Sequence, residues 1–252
     1  MNTIRREQML EFIKAKKAVS LKELILMFSG VSTMTIHRDL DYMEKKGVIE
    51  RVRGGARYLP PEVDHREPAF IEREIANREQ KEIIARKAVS LIRSGSSVFI
   101  DSGTTTMAMT DLIDDIPLNV ITNSPNIAVS LSNRSYVNLT LCGGTLEKRN
   151  LSLYGSGAVS TIEKINIDLA FVVPSGFTEN GGFCCGNDGE AVVKSLVCKK
   201  ARSVALLIDS SKLDKVMPFT FATAEDIDYL ICDKPLPSSL AELLRQKGVT
   251  IL

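Results

Sequence analysis

The run SLKELILMFSGVSTMTIHRDLDYMEKKGVIERVRGGA, Ser20 to Ala56, decides the N-terminal fold. Ser20 followed by Glu23 fits the S-x-x-E capping box, in which each residue satisfies a backbone N–H of the other. Leu21, Leu24, Ile25 and Phe28 then supply the apolar face of a short helix. Ser29, Gly30 and Val31 make a tight connection to Ser32, a second natural cap, and a helix through Thr35, Ile36, Leu40 and Met43 ends at Lys46 before Gly47. Two short helices joined by about three turn residues form a helix-turn-helix, whose second helix enters the DNA major groove. Beyond Gly47, VIERVRGGARYL alternates across a Gly54-Gly55 turn, which predicts a hairpin. Upstream, Ile4, Met9, Leu10, Phe12 and Ile13 recur mainly at spacings of three and four and predict an amphipathic helix over the first sixteen residues.

Residues at the start of the second helix of the motif are the ones positioned for DNA. Ser32, Thr33, Met34, Thr35, His37 and Arg38 form that set. Arg38 has paired donors for a guanine edge or a phosphate, and Thr and Met methyl groups suit a thymine methyl. Ile36 and Leu40, four apart, face the core instead. His37 is open between a base contact and a hydrogen bond to its own helix. Arg51, Arg53 and Arg57 on a Gly-tipped ribbon read as a wing reaching phosphates or the adjacent minor groove, the alternative being a solvated strand face.

Charge partition agrees. The chain of 252 residues carries a net +1, but up to Leu59 it has twelve Lys and Arg against seven Asp and Glu, a net of +5, which leaves −4 for the other 193 residues. A basic unit on an acidic body suggests two partners, a polyanion facing the first. With 44% hydrophobic and 25% charged residues, 16 Gly and 9 Pro, low-complexity and wholly disordered classes are excluded. No apolar run reaches the 18 or more residues of a membrane span, and the charged start lacks a signal-peptide core, so the expectation is a cytoplasmic protein without a membrane partner. Five Cys without C-x-x-C or metal spacing are expected to be reduced structural thiols, with no metal and no cofactor.

Pro60, Pro61, Pro68 and the charged string EVDHRE, which contains His65, mark a linker. The expected organisation is residues 1–59 as DNA-binding domain, 60–74 as linker and 75–252 as effector and oligomerisation domain. In this last part helical patterns alternate with short β-branched runs: SVFI at Ser97, NVIT at Asn119, NLTLC at Asn138, DLAFVV at Asp168, SVALLI at Ser203 and DYLIC at Asp228. Ile83, Ala85, Ala88, Leu91 and Ile92 predict a helix before the first, and Ala191–Ala201 and Leu240–Lys247 predict later ones. An α/β fold with a largely parallel sheet follows. Four strand ends run into small polar residues: Asp101, Ser102, Gly103, Thr104, Thr105 and Thr106; Thr122, Asn123 and Ser124; Gly143 and Gly144; Asp209, Ser210, Ser211 and Lys212. Ligands of open α/β sheets sit outside these carboxyl ends, and such loops offer N–H groups and hydroxyls to an anion. The composite suggests a phosphorylated small molecule, with Lys212 as charge partner. Turn and cap chemistry is the competing explanation for each loop.

The run from Ser20 to Ala56 resembles the winged helix-turn-helix of the DeoR family of bacterial transcription regulators. Where the family pattern has T-x-R-R-D-L, this chain has His37 in place of the first arginine, so no operator sequence is implied. Residues 84–252 resemble the DeoR effector domain, a fold similar to ribose-phosphate isomerases, glucosamine-phosphate deaminases and CoA transferases, through DSGTTT (Asp101–Thr106), TNS (Thr122–Ser124), Gly143-Gly144, EAVVK (Glu190–Lys194) and DSSK (Asp209–Lys212). The resemblance implies a sugar-phosphate pocket lined by Asp101, Gly103 to Thr106, Asn123, Gly144, Glu190 and Lys212, in a dimer or tetramer that binds double-stranded operator DNA. Pro174 in VVPSGF and Cys184-Cys185 depart from the family pattern. The implied function is a regulator of a carbohydrate operon, expected to repress and not to be an enzyme. The alternative is a sugar-phosphate isomerase or deaminase fused to a DNA-binding module, with Asp101, Glu190, Asp209 and Lys212 as acid/base groups.

Overall fold

The computed structural model describes residues 2–45, 48–52, 54–58 and 67–252, and the chain divides into two compact units, Met1–Asp64 and His65–Leu252. In the first, helix α1 (Asn2–Lys16) leads into a short strand β1 (Ala18–Ser20). Helix α2 (Leu21–Met27) follows at once, opened by the reciprocal Ser20/Glu23 capping box. Helix α3 (Thr33–Lys45) starts where the Ser32 hydroxyl accepts the Thr35 N–H at 3.2 Å. The hairpin β2 (Ile49–Val52) and β3 (Gly55–Tyr58) turns through Gly54 at φ +81°, a left-handed conformation that glycine adopts without steric cost. Met9, Ile13, Leu24, Ile36, Leu40, Met43 and Ile49 close a single core.

One feature of this unit escapes the periodicity argument. β1 pairs antiparallel with β3, Val19 opposite Ala56 and Ser20 opposite Gly55, making a three-stranded sheet of the wing. A Cβ on Gly55 would lie 2.1 Å from the Val19 carbonyl oxygen, so the second glycine of the turn serves this close approach. Three residues are too few for an alternation to register.

The second unit opens with helices α4 (Phe70–Ile75) and α5 (Arg78–Val89). The predicted helix therefore stops short of Leu91 and Ile92. Then come β4 (Ser97–Ile100), α6 (Thr104–Thr110), β5 (Leu118–Thr122), α7 (Pro125–Leu131), β6 (Val137–Leu141), the hairpin β7 (Thr145–Glu147) and β8 (Ser152–Tyr154), and α8 (Ser156–Glu163). The chain continues through β9 (Leu169–Val172), β10 (Gly176–Thr178), β11 (Gly182–Cys185), α9 (Asp188–Lys200), β12 (Ser203–Ile208), β13 (Phe219–Ala222), β14 (Tyr229–Cys232), α10 (Ser238–Gln246) and β15 (Thr250–Ile251). Seven strands in the order β15-β14-β12-β9-β4-β5-β6 form one sheet, parallel throughout. β10, β11 and β13 form a small antiparallel sheet.

The large sheet is covered on both faces, which is why its central strands read as unbroken apolar runs. Phe99, Val172, Leu206 and Leu230 meet Ile162, Val193, Val197 and Leu244 of α8, α9 and α10. Val98, Ile100, Phe171 and Leu207 meet Ile84, Ala88, Met109 and Ile127 of α5, α6 and α7. Strand order reverses between β4 and β9: β5 and β6 lie on one side of β4, and after β6 the chain returns to place β9 on the other. Such a switch point opens a crevice at the carboxyl ends of the two strands.

The stretch expected to be a linker is not uniformly so. His65 and the prolines at 60 and 61 lie outside the described residues, but Glu67 is buried and α4 packs into the second unit through Phe70, which is 3% exposed. The Phe70 N–H donates to the Arg149 carbonyl at 2.9 Å, and the Lys81 ammonium donates to the carbonyls of Arg73 and Ala76 at the end of α4. Phe70 and Arg149 are distant in sequence, so a polar composition conceals the docking.

Candidate functional site

Two sites emerge, one in each unit. In the first, α3 presents Thr33, Met34 and Arg38 to solvent, Met34 at 65% exposure, while Thr35 and His37 are half-buried. Ile36, Asp39, Leu40 and Met43 are buried beneath. Asp39 is not a surface acid. Burial by itself would raise its pKa, but the Arg5 and Arg6 guanidiniums, each donating through Nε at 2.7 Å, hold the carboxyl below the ordinary aspartate range. This clamp fixes the recognition helix to α1, and a lone D in an R-D-L string gives no hint of it. Arg6 also lies over the Tyr42 ring, 4.0 Å from its centroid.

His37 Nδ1 lies 3.0 Å from Arg51 NH2 and accepts from that guanidinium, a contact neither sequence reading anticipated. Arg51 also pairs with Asp41 at 2.8 Å, so this wing arginine braces the wing against α3. Arg57 lies 3.5 Å from Glu50 and is largely exposed. Arg53 lies outside the described residues.

The second site lies at the sheet's switch point. Register places Ile100 opposite both Phe171 and Thr122, so residues following β4, β5 and β9 end level with one another. Asp101 is wholly buried there. Its Oδ2 accepts the Val173 N–H at 3.0 Å and the Lys194 ammonium, and Lys194 also donates to the Val173 carbonyl at 2.9 Å. Burial would lower the pKa of Lys194, but attraction by Asp101 and Glu190 raises it, so it is charged.

Above this clamp is a narrow cleft lined by Glu67, Arg73, Ser102, Gly103, Thr104, Thr105, Asn150, Val173, Pro174, Ser175, Glu190, Lys194 and Lys212. Lys212 donates to the Pro174 carbonyl at 2.9 Å and pairs with Asp209 at 3.7 Å. Burial lowers its pKa, with Asp209 and Glu67 acting in opposition. Glu190 is raised by burial, against the pull of Lys194, and accepts from Asn150 at 3.0 and 3.1 Å and from Ser152. For Glu67 burial again acts upward, but the ion pair with Arg73 at 2.8 Å and the Ser175 hydroxyl outweigh it and hold the carboxyl low. Three cations thus face one firmly ionised carboxylate and one biased toward its neutral form. Among the described residues, Arg73 Nε, Asp101 Oδ1 and Thr105 Oγ1 are buried with no hydrogen-bond partner, and two of these residues line the cleft. Native structures seldom leave such groups unpaired, and Arg73 Nε and Thr105 Oγ1 can each donate to an acceptor placed in the cleft.

Of the residues read from sequence, the cleft gathers Ser102, Gly103, Thr104, Thr105, Glu190 and Lys212, with Asp101 beneath. Gly103 is needed because a Cβ there would lie 2.4 Å from Val173 Cγ2. The others are not among the residues that line the cleft. Thr106 donates to the Asp101 and Gly103 carbonyls, Thr122 donates to the Ile100 carbonyl, and Ser124 caps α7. Asn123 accepts the Ser102 N–H at 2.9 Å and so shapes the loop from behind. Gly143 and Gly144 are exposed and off the cleft; Gly144, at φ +121°, allows close approach to the Tyr154 carbonyl. Sequence reading missed Glu67, Arg73, Asn150, Ser175 and Lys194. Only Lys194 carried a signal, four residues after Glu190 on one helix face.

Fold and sites together define a transcription regulator with a winged helix-turn-helix and an α/β sensor. Residues 5–62 match the DeoR-like helix-turn-helix domain and residues 76–234 the DeoR C terminal sensor domain. The chain belongs to the DeoR family. It is 38% identical over 224 residues to the HTH-type transcriptional regulator GlpR of Haloferax volcanii, covering 88% of this chain and 87% of that one. It is 32% identical to the HTH-type transcriptional repressor GlcR of Bacillus subtilis, covering 96% and 93%, and 31% identical to IolR of the same organism, covering 100% and 99%. These relatives are named as regulators, not enzymes, and the chain is likewise a regulator. Ribose 5-phosphate isomerase A of Methanocaldococcus jannaschii overlaps 55% of each chain at 17% identity and a TM-score of 0.42, an overlap too partial to bear on function. Among the described residues no helix is long and apolar enough to cross a membrane.

Proposed function

We propose that this protein represses a carbohydrate operon, binding operator DNA through α3 and the wing and releasing or regaining it according to a phosphorylated sugar held in the cleft at the switch point. The observation that carries this reading is the convergence of Arg73, Lys194 and Lys212 with the unpartnered Thr105 hydroxyl on one cleft. Cations and an N–H-rich loop suit the phosphoryl group, while Asn150 and Glu190 suit sugar hydroxyls. A repressor among the relatives supports the sign of regulation.

A single winged module buries roughly 600–1,000 Å² on DNA, so two or more modules in a dimer or tetramer fit a specific operator. The effector shifts that assembly only through its differential affinity for two states. Moving the equilibrium from 1:99 to 99:1 takes about 5.5 kcal/mol. Two variants separate the roles. Arg38→Ala abolishes specific operator binding in a salt-controlled mobility-shift assay while leaving the fold intact. Lys212→Ala spares DNA binding and raises the sugar-phosphate concentration needed to change it. An Arg38→Ala protein with full specific affinity, or an unchanged effector titration for Lys212→Ala, contradicts the corresponding assignment.

A further inference from the structure

The cleft is shut as it stands. Its cavity volume is only ≈ 10 Å³. That is the space of one water, whereas ligand pockets commonly run to about 300–1,000 Å³. Most of the lining comes from strand ends and from helices packed on the sheet. Glu67 and Arg73 do not: they belong to the segment Glu67–Ile75 that precedes the α/β body.

Glu67 behaves there as a ligand would. Its carboxylate accepts from the Ser175 hydroxyl, from the Gly186 N–H at 3.3 Å and from Arg73 NH1 at 2.8 Å, and it is 6% exposed. The remaining fixings of the segment are few. Among the described residues they include the Phe70 side chain, the Phe70 N–H on the Arg149 carbonyl at 2.9 Å, a bond from Arg149 to the Glu67 carbonyl, a bond from Arg73 to Asn150 at 3.1 Å, and the Lys81 cap on α4. Only eight residues separate Glu67 from Tyr58, the last residue of the wing.

We propose that Glu67 is an internal occupant of the effector cleft, its carboxylate seated on the Ser175 hydroxyl, the Gly186 N–H and Arg73 where an anionic group of the effector binds, so that a phosphorylated ligand enters by expelling it. The inference rests on the reading of the cleft as a sugar-phosphate site. Arg73, its Nε unpartnered already, is released from Glu67 when the ligand's anion arrives. Loading the cleft thereby frees the strap through which the chain leads back to the DNA-binding unit. An internal competitor also weakens apparent affinity, since only the fraction of molecules with the strap undocked is competent to bind.

The test is hydrogen exchange on the full chain with and without millimolar pentose and hexose monophosphates, together with their affinities for the wild type, Glu67→Gln and Phe70→Ala. Phe70 lies off the cleft, so its truncation loosens the strap without altering the seat. The expected result is slower exchange at 102–106, faster exchange at 67–76, and at least about five-fold tighter binding by both variants, as follows when an undocking tax is removed. Slower exchange at 102–106 with 67–76 unchanged or slowed, and variants that bind no tighter, overturns strap displacement and leaves the site standing. No change at 102–106 with any sugar phosphate overturns the site itself.

Discussion

Replacing Lys194 by Met tests the electrostatics of the sensor most sharply. The substitution keeps most of the side-chain volume and removes the ammonium that Asp101 Oδ2 accepts. Asp101 is 0% exposed, its Oδ1 is already without a partner, and only the Val173 N–H remains to it. Breaking a buried pair by removing one member costs about 3–5 kcal/mol. Urea unfolding followed by circular dichroism at pH 7 is therefore expected to show a deficit of about 3–5 kcal/mol. Adding Asp101→Asn removes the charge and is expected to recover much of the loss at pH 7. A deficit below about 1 kcal/mol at pH 7 refutes the buried pair.

The clamp in the other unit makes a similar prediction on a smaller scale. Asp39→Asn weakens the hold of Arg5 and Arg6 on α3 and is expected to cost about 2–3 kcal/mol, discounted because both arginines are partly exposed; an unchanged transition contradicts it. Burial pushes the Cys185 and Cys198 thiols up to about 12, so iodoacetamide at pH 8 should label them only as fast as the unit unfolds, and rapid labelling of native protein would count against their burial. The lowered pKa of Glu67 stabilises the fold above its unfolded value of about 4.3 and that contribution is lost as pH falls through the lower folded value. Glu67→Gln should therefore be less stable than wild type at neutral pH and converge with it in acid, and a constant difference across the titration rules this out.

Much of the architecture was legible because its causes are local. The Ser20/Glu23 box, the cap at Ser32 and the Gly54 turn act within four residues, and the winged helix-turn-helix followed from them. Strands β4, β5, β6, β9, β12 and β14 declared themselves as β-branched runs such as SVALLI, unbroken in the central strands because both faces of the sheet are covered there. β15 and β10 are two and three residues long, too short for a pattern, and β11 and β13, GFCC and FTFA, contain no Val or Ile to mark them. In the candidate site, DSGTTT was visible as a loop, but not which of its threonines face the cleft. Thr104 and Thr105 do, while Thr106 turns back to its own backbone. Glu67 and Ser175 are 108 residues apart, and Asp39 is 33 and 34 residues from its two arginines. Such pairs owe their meaning to the fold, so a charged residue in a polar stretch reads as solvated until the structure brings its partner to it.

The most direct test of the whole account is a mobility shift of the purified full-length protein on the DNA upstream of its own gene, at fixed salt, while each of a panel of sugar phosphates and the matching unphosphorylated sugars is titrated in. A specific complex is expected whose stability changes with one phosphate ester and not with the free sugar. A specific complex indifferent to every phosphate, or equally sensitive to the sugar without its phosphate, would contradict it.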